Sequence, residues 1–333
     1  MPEISSLFNG VQLGAETTAS PGTAVSATKL MNYLNWQPTF WAGDFNVMTP
    51  MGQKAGSGVA PGYDYTSWEL SSEVGSYSEI IYPLASLLKD VSPSTVETTA
   101  RLWTFKPTAR SEDVTRTYTV QTGSATRAQK AAFVSVTGLE VTFNRSTGLT
   151  MSGAAIGQAI SDNIALDTAT SIEDAPVLPT HLDVYVDTTS SSIGSTKVTR
   201  DFNAVFRYND ARAPIWPINS ANASYANIVE TRPTAQIELT MEADSGGMGY
   251  LTNARAGTTS YIRLAAVSTV NAGAVSAKYQ IVIDAAGKIT NIAGPDDTDG
   301  IKTVTYTWDL IYDSSWSSGT YLTIGVQNKV AAL

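Results

Sequence analysis

A chain of 333 residues with 43% hydrophobic and only 15% charged side chains can bury ample apolar surface, and its length suits two domains. Its net charge of -9 argues against a protein that grips nucleic acid by neutralising phosphates, which needs clustered Lys and Arg. With no cysteine at all, disulfides, thiolate metal sites and thiol nucleophiles are excluded.

The excess of Thr, Ser, Ala and Val over Lys and Glu favours strands over helices. The first residues, MPEISSLFNG, carry an acid and no basic or apolar leader, and no stretch reaches the roughly eighteen apolar residues of a membrane span. A chain made in the cytosol, without contact to a membrane, is the expectation.

In chain order, a short strand from Val11 meets a turn at Pro21 and Gly22, and a second strand is predicted from Trp36 to Val47. A Gly/Pro-rich stretch, TPMGQKAGSGVAPGYD, then reads as a loop of roughly fifteen residues, long enough to serve a contact. Its glycines lack the GxGxxG spacing of a dinucleotide site. In YTSWELSSEV, Trp68 and Leu70 alternate with Ser67, Glu69, Ser71 and Glu73, so one face is core and the other meets water. Ser76 and Glu79 stand at capping-box spacing before Ile80, Ile81, Leu84, Leu87 and Leu88, which predicts a helix. Pro83 inside it requires a late start. Two further strands near 102–107 and 116–122 lead to a hairpin in which Leu139, Val141 and Phe143 alternate with polar residues, turn at Ser146 to Gly148, and return through Leu149 and Met151.

Acids and two prolines mark a linker over 165–180, which divides the chain into units 1–164 and 181–333. Beyond it the order repeats. DTTSSSIGSTKVTR resembles ETTASPGTAVSATK, with Asp187 matching Glu16, and a second long loop over 209–231 follows a strand at 202–208. The alternating TAQIELTME then places Glu238 where Glu69 stands in the first unit, and a short helix near 248–255 and further strands lead to a closing hairpin over 304–326. A tandem duplication is expected.

Catalytic chemistry has little to stand on. His181 is the only histidine and reads as a surface residue at a strand entry; with no second His and no Cys, no transition-metal site or Cys/His dyad can be built. No GxSxG elbow is present for a triad. Asp296, Asp297, Thr298, Asp299 and Gly300 hint at calcium but place Pro295 at the first ligand position, so they read as an acidic turn. Asn144 with Ser146 and Asn222 with Ser224 match a glycosylation sequon that matters only in a secretory pathway. Trp68, Trp103 and Trp308 sit within strand patterns and read as core or subunit contacts. The expectation is a mainly β protein that is not an enzyme and has no cofactor, metal or catalytic residue.

The segments ETTASPGTAVSATKL, YTSWELSSEVGSYSEIIYPLASLL, WTFKPTARSEDVTRTYTVQTG, LEVTFNRSTGLTMSGAAIGQ and PVLPTHLDVYVD together resemble the tail tube (major tail) protein of long, non-contractile-tailed bacteriophages. The resemblance covers nearly the whole chain and rests on the order of strands and turns. It implies two tandem tail-tube-like β-sandwich or barrel units, each with a short flanking helix. Their rings would stack into the tube of the virion tail through which the genome is ejected into the host. Six units per ring would make three duplicated chains a pseudo-hexamer, assembled from subunits made in the host cytoplasm. The implied partners are further copies of itself, a tape measure protein, the tail terminator and distal tail proteins, with genomic DNA passing the lumen without tight binding. On this reading the outward Glu69, Glu73, Glu238 and Glu242 give an acidic lumen that repels phosphates. The loops 44–64 and 209–231, with Met48, Met51, Ile215 and Trp216, dock on the next ring. The competing reading from composition is a non-catalytic binding module, such as a carbohydrate-binding or adhesive pair of β-sandwiches.

Overall fold

The computed structural model describes residues 9–39, 41–43, 45–218, 224–298 and 300–333. It is mainly β, with half of the residues in strands and two α-helices among those described. The first half contains β1 (Gly10–Ala15), β2 (Lys29–Leu30), β3 (Asn35–Pro38), β4 (Phe45–Met48), β5 (Gly58–Pro61), β6 (Thr66–Ser72), α1 (Ile81–Leu87), β7 (Ser94–Thr95), β8 (Arg101–Phe105), β9 (Tyr118–Gly123), β10 (Ala128–Asn144), β11 (Gly148–Gly157) and β12 (Ser161–Ile164). After β13 (Thr170–Ser171) come β14 (Leu182–Asp187), β15 (Asp201–Asn209), β16 (Arg212–Ile215), β17 (Asn227–Glu230), β18 (Thr234–Glu242), α2 (Ser245–Ala256), β19 (Ser260–Asn271), β20 (Lys278–Thr298), β21 (Ile301–Leu310) and β22 (Leu322–Asn328).

The two halves use one connectivity. Antiparallel pairs β1–β9, β9–β10, β10–β11, β11–β6 and β6–β3 in the first half recur as β14–β19, β19–β20, β20–β21, β21–β18 and β18–β15 in the second. Each half also carries a two-stranded arm, β4–β5 or β16–β17, and a helix after β6 or β18. Local detail repeats as well. The Glu16 carboxylate accepts from the Gly22 N–H at 2.8 Å and Asp187 from the Gly194 N–H at 2.9 Å, both glycines lying in the left-handed region at φ 82° and 84°.

Alternation along β6 buries Thr66, Trp68, Leu70 and Ser72 and exposes the residues between them. In β18, Ile237, Leu239 and Met241 are buried in the same way. Trp36, Trp68, Trp103 and Trp308 are among the largest fully buried side chains, so the core is built from strand aromatics. Helix α1 is buried along its whole length, with Pro83 in its first turn, where the missing N–H costs nothing.

Several local expectations are corrected. Ser76 and Glu79 form no capping box: Ile80 is the N-cap and makes no side-chain cap. Glu79 points instead at the segment before β3, where its carboxylate accepts from the backbone N–H of Asn32, Tyr33 and Leu34 at 2.6, 3.1 and 2.7 Å. The closing hairpin is reduced to a single antiparallel bridge between Asp313 and Thr320. β21 pairs with β20 and β18, whereas β22 pairs with β20 and with β8 of the first half. The counterpart of the β10–β11 hairpin is β20–β21, and the Asp297 carboxylate in its tip accepts from the Gly300 N–H at 2.8 Å. Asp299 and Asn222 lie outside the described residues.

His181 is buried, not a surface residue. Its Nδ1 accepts from the Leu178 N–H at 3.3 Å and lies 3.0 Å from the Tyr77 hydroxyl, which therefore donates to it. Residues 165–180 lie along the first half: β13 runs parallel to β2, and Ile172, Ala175 and Val177 are buried.

Candidate assembly site

The strands that carry Glu69, Glu238 and Glu242 belong to one continuous antiparallel sheet of eight, in the order β3, β6, β11, β10, β15, β18, β21, β20. Within this sheet the halves are linked by β10–β15, where Leu139 to Asn144 lie opposite Tyr208 to Asn203. One row across the polar face reads Asn35, Ser71, Ser152, Glu140, Arg207, Gln236, Asp309 and Lys288. A polar side chain from every strand thus stands on the face opposite the core.

The charges on this face are partly neutralised. The Arg207 guanidinium donates from Nε to Glu140 at 2.7 Å and from a terminal nitrogen to Glu238 at 2.9 Å, which ties β10, β15 and β18 together across the halves. Arg200 holds Glu242 at 2.7 Å. Side-chain hydrogen bonds and neighbouring carboxylates hold the Arg200 guanidinium above its ordinary value. Glu69 and Glu73 are exposed, and Glu73 stands just beyond the end of β6. The face is acid-rich, but Glu238 and Glu242 are ion-paired rather than free. Arg207 was not singled out from the sequence, although its outward place between the buried Phe206 and Tyr208 is legible in the alternation.

The two long loops are not loops. β4 with β5 and β16 with β17 each form a two-stranded ribbon, separate from the main sheet. On the first, Phe45, Val47, Met48, Met51 and Val59 are all exposed; on the second, Ile215 and Ile218 are. Trp216 is half-buried, its ring 4.3 Å from Tyr63 and 5.2 Å from Tyr65, so it packs the two arms' bases together rather than facing outward. Asp44, at the start of the first arm, lies outside the described residues.

The sheet does not close on itself. Among the described residues, β3 pairs only with β6, and the far half of β20, from residue 288 onward, pairs only with β21. Residues 290–297 of that half are exposed without exception. No group of three or more His, Cys, Asp or Glu that could hold a metal ion occurs among the described residues, and no helix among them is long and apolar enough to cross a membrane. No protein-family model matches the chain, and a search of curated proteins finds no match to it. Its surfaces must therefore be read from their own geometry.

Proposed function

We propose that this chain is a structural subunit that polymerises as stacked rings into a tube, the tail tube of a long-tailed bacteriophage, through which genomic DNA leaves the virion. The observation that carries this reading is the eight-stranded sheet made from two like halves, polar on one face and unpaired at both ends. An exposed sheet edge is an aggregation hazard in a finished protein, and a closed ring removes it. Joining two units in one chain halves the associations needed per ring and raises the effective concentration of the second unit. Three chains then give a ring with six units. The apolar arms suit contacts between rings, because Met51 and Phe45 facing water would be costly in a mature particle. The polar face, with more acids than cations in its central rows, suits a wall past which DNA slides without being held.

Electron microscopy of the purified chain tests this reading. Rings or tubes built from three chains per ring are expected. Six chains per ring would refute the pseudo-hexamer, and dispersed monomers that bind glycans would favour an adhesive module.

A further inference from the structure

We propose that chains join by repeating, between molecules, the junction that already joins the two halves within one molecule. The free edge of β20 pairs antiparallel with the free edge of β3 of a second copy. The inference rests on the tube-subunit reading for the number of copies, and on the strand pairings for the contact itself.

The argument is one of equivalence. In the first half the far part of β10 lies between β11 and β15. Its counterpart, the far part of β20, has β21 on one side and, among the described residues, no strand on the other. In the second half β15 lies between β18 and β10. Its counterpart β3 has β6 on one side and, among the described residues, no strand on the other. Each half therefore supplies one edge of the same junction, and one of each is left over. Burial follows the same division: Leu139 on β10, beside β15, is 0% exposed, whereas Ile292, which holds its place on β20, is 38% exposed. Two unlike surfaces left over in this way make a head-to-tail contact, which closes into a ring when the rotation per copy allows it.

The registers fix the partners. Glu69 and Glu238 hold equivalent places, each between two buried apolar neighbours, so Ser71 corresponds to Thr240. Ser71 lies opposite Asn35 and Ser152; Thr240 lies opposite Asn203 and Thr305. Asn35 thus corresponds to Asn203, and Thr39, four residues on, to Arg207. Ser152 faces Glu140 and Thr305 faces Ala293, so Ala293 corresponds to Glu140. Because Glu140 lies opposite Arg207 within the chain, Ala293 lies opposite Thr39 of the second copy. Both are exposed.

The contact between chains is weaker than its model within them. It lacks the Glu140–Arg207 ion pair, and the Thr39 N–H points to Ser67 of β6 at 2.8 Å, which turns Pro38, with no N–H, to the free edge. Proline at an open edge discourages indiscriminate pairing. A subunit that stays soluble until it meets a growing ring needs such an edge.

The lack of cysteine makes the test direct. Thr39→Cys and Ala293→Cys are prepared as separate variants and mixed under oxidising conditions, with the double variant Glu140→Cys, Arg207→Cys as the control for the junction within one chain. The two test positions stand at opposite edges of eight strands, on the order of 30 Å apart at the usual strand spacing, so they cannot bridge within one molecule. A disulfide-linked dimer from the mixture, absent from either variant alone, is expected, and the Thr39→Cys, Ala293→Cys double variant should give a ladder ending at a closed trimer. The same samples are imaged. Rings or tubes without a linked dimer would overturn this junction and leave the tube reading standing; a linked dimer without rings or tubes would do the reverse. Monomers that neither link nor assemble would overturn both. A second variant, Thr39→Arg with Ala293→Glu, supplies the missing charge pair and should assemble at a severalfold lower protein concentration; an unchanged or higher threshold counts against the register.

Discussion

Glu79 and His181 show how little a short spacing says about where a side chain goes. Glu79 is at the right distance from Ser76 for a capping box, yet the same carboxylate reaches three backbone N–H groups ahead of β3. Burial pushes its carboxyl above the ordinary value, while those three N–H groups oppose the shift. Replacing Glu79 by Ala strands buried donors, a loss of about 3 kcal/mol for hydrogen bonds to a charged group. Urea unfolding should show a lowered midpoint with an unchanged slope. His181 behaves in the opposite sense. Burial lowers its tendency to take a proton, so the folded state favours the neutral ring. Stability from this site is fully present above 6.5 and falls as pH drops below it, because the unfolded chain then binds the proton more readily. His181→Asn keeps an acceptor near Tyr77 and should flatten the pH dependence of the melting temperature between about pH 5 and pH 7. A slope identical to that of the parent protein would remove His181 as its source.

At the scale of elements, the two arms are the features that the sequence misrepresented. Gly, Pro and Ser between 49 and 62 suggest a loop, but Phe45 to Met48 and Gly58 to Pro61 pair as a ribbon in which Phe45 to Met48 are exposed on both faces. A ribbon without a buried face has no apolar alternation to betray it. Deleting residues 46–60 removes none of the core, so the subunit is expected to remain folded, with unchanged circular dichroism in the far ultraviolet, while losing the ability to elongate beyond single rings. Tubes of normal length from this deletion would show that the arm does not carry the contact between rings. The arm of the second half is a poorer subject, because Trp216 and Tyr225 at its base pack into the body.

For the whole molecule, the proposed tube makes the charge of the sheet's polar face the property to test. Glu69 makes no ion pair with the described residues that would confuse its substitution, whereas Glu238 holds Arg207 and Glu242 holds Arg200. Glu69→Lys is therefore the cleaner probe: tubes should still form, and genome ejection should slow, since each added lysine offers phosphate a counterion-releasing contact. Ejection at the normal rate would mean that this face is not the wall of the channel.

The mainly β character, the inward Trp68 and Leu70, the hairpin around Ser146 and the echo of Glu16 in Asp187 were legible in the amino-acid sequence, because each rests on a period of two or on a turn residue, and both are local. What the sequence could not contain is which strand lies beside which. The closing segment around Trp308 and Ile324 reads as a hairpin, yet β21 and β22 find different partners, since a strand pairs with whatever edge the rest of the chain presents. The salt bridge of Arg207 with Glu140, 67 residues apart, and the burial of His181 against Tyr77, 104 apart, are likewise decided only when distant strands meet. The two unpaired edges belong to the same class: an edge is open only by comparison with the whole network of strands, and that network exists only in the folded chain.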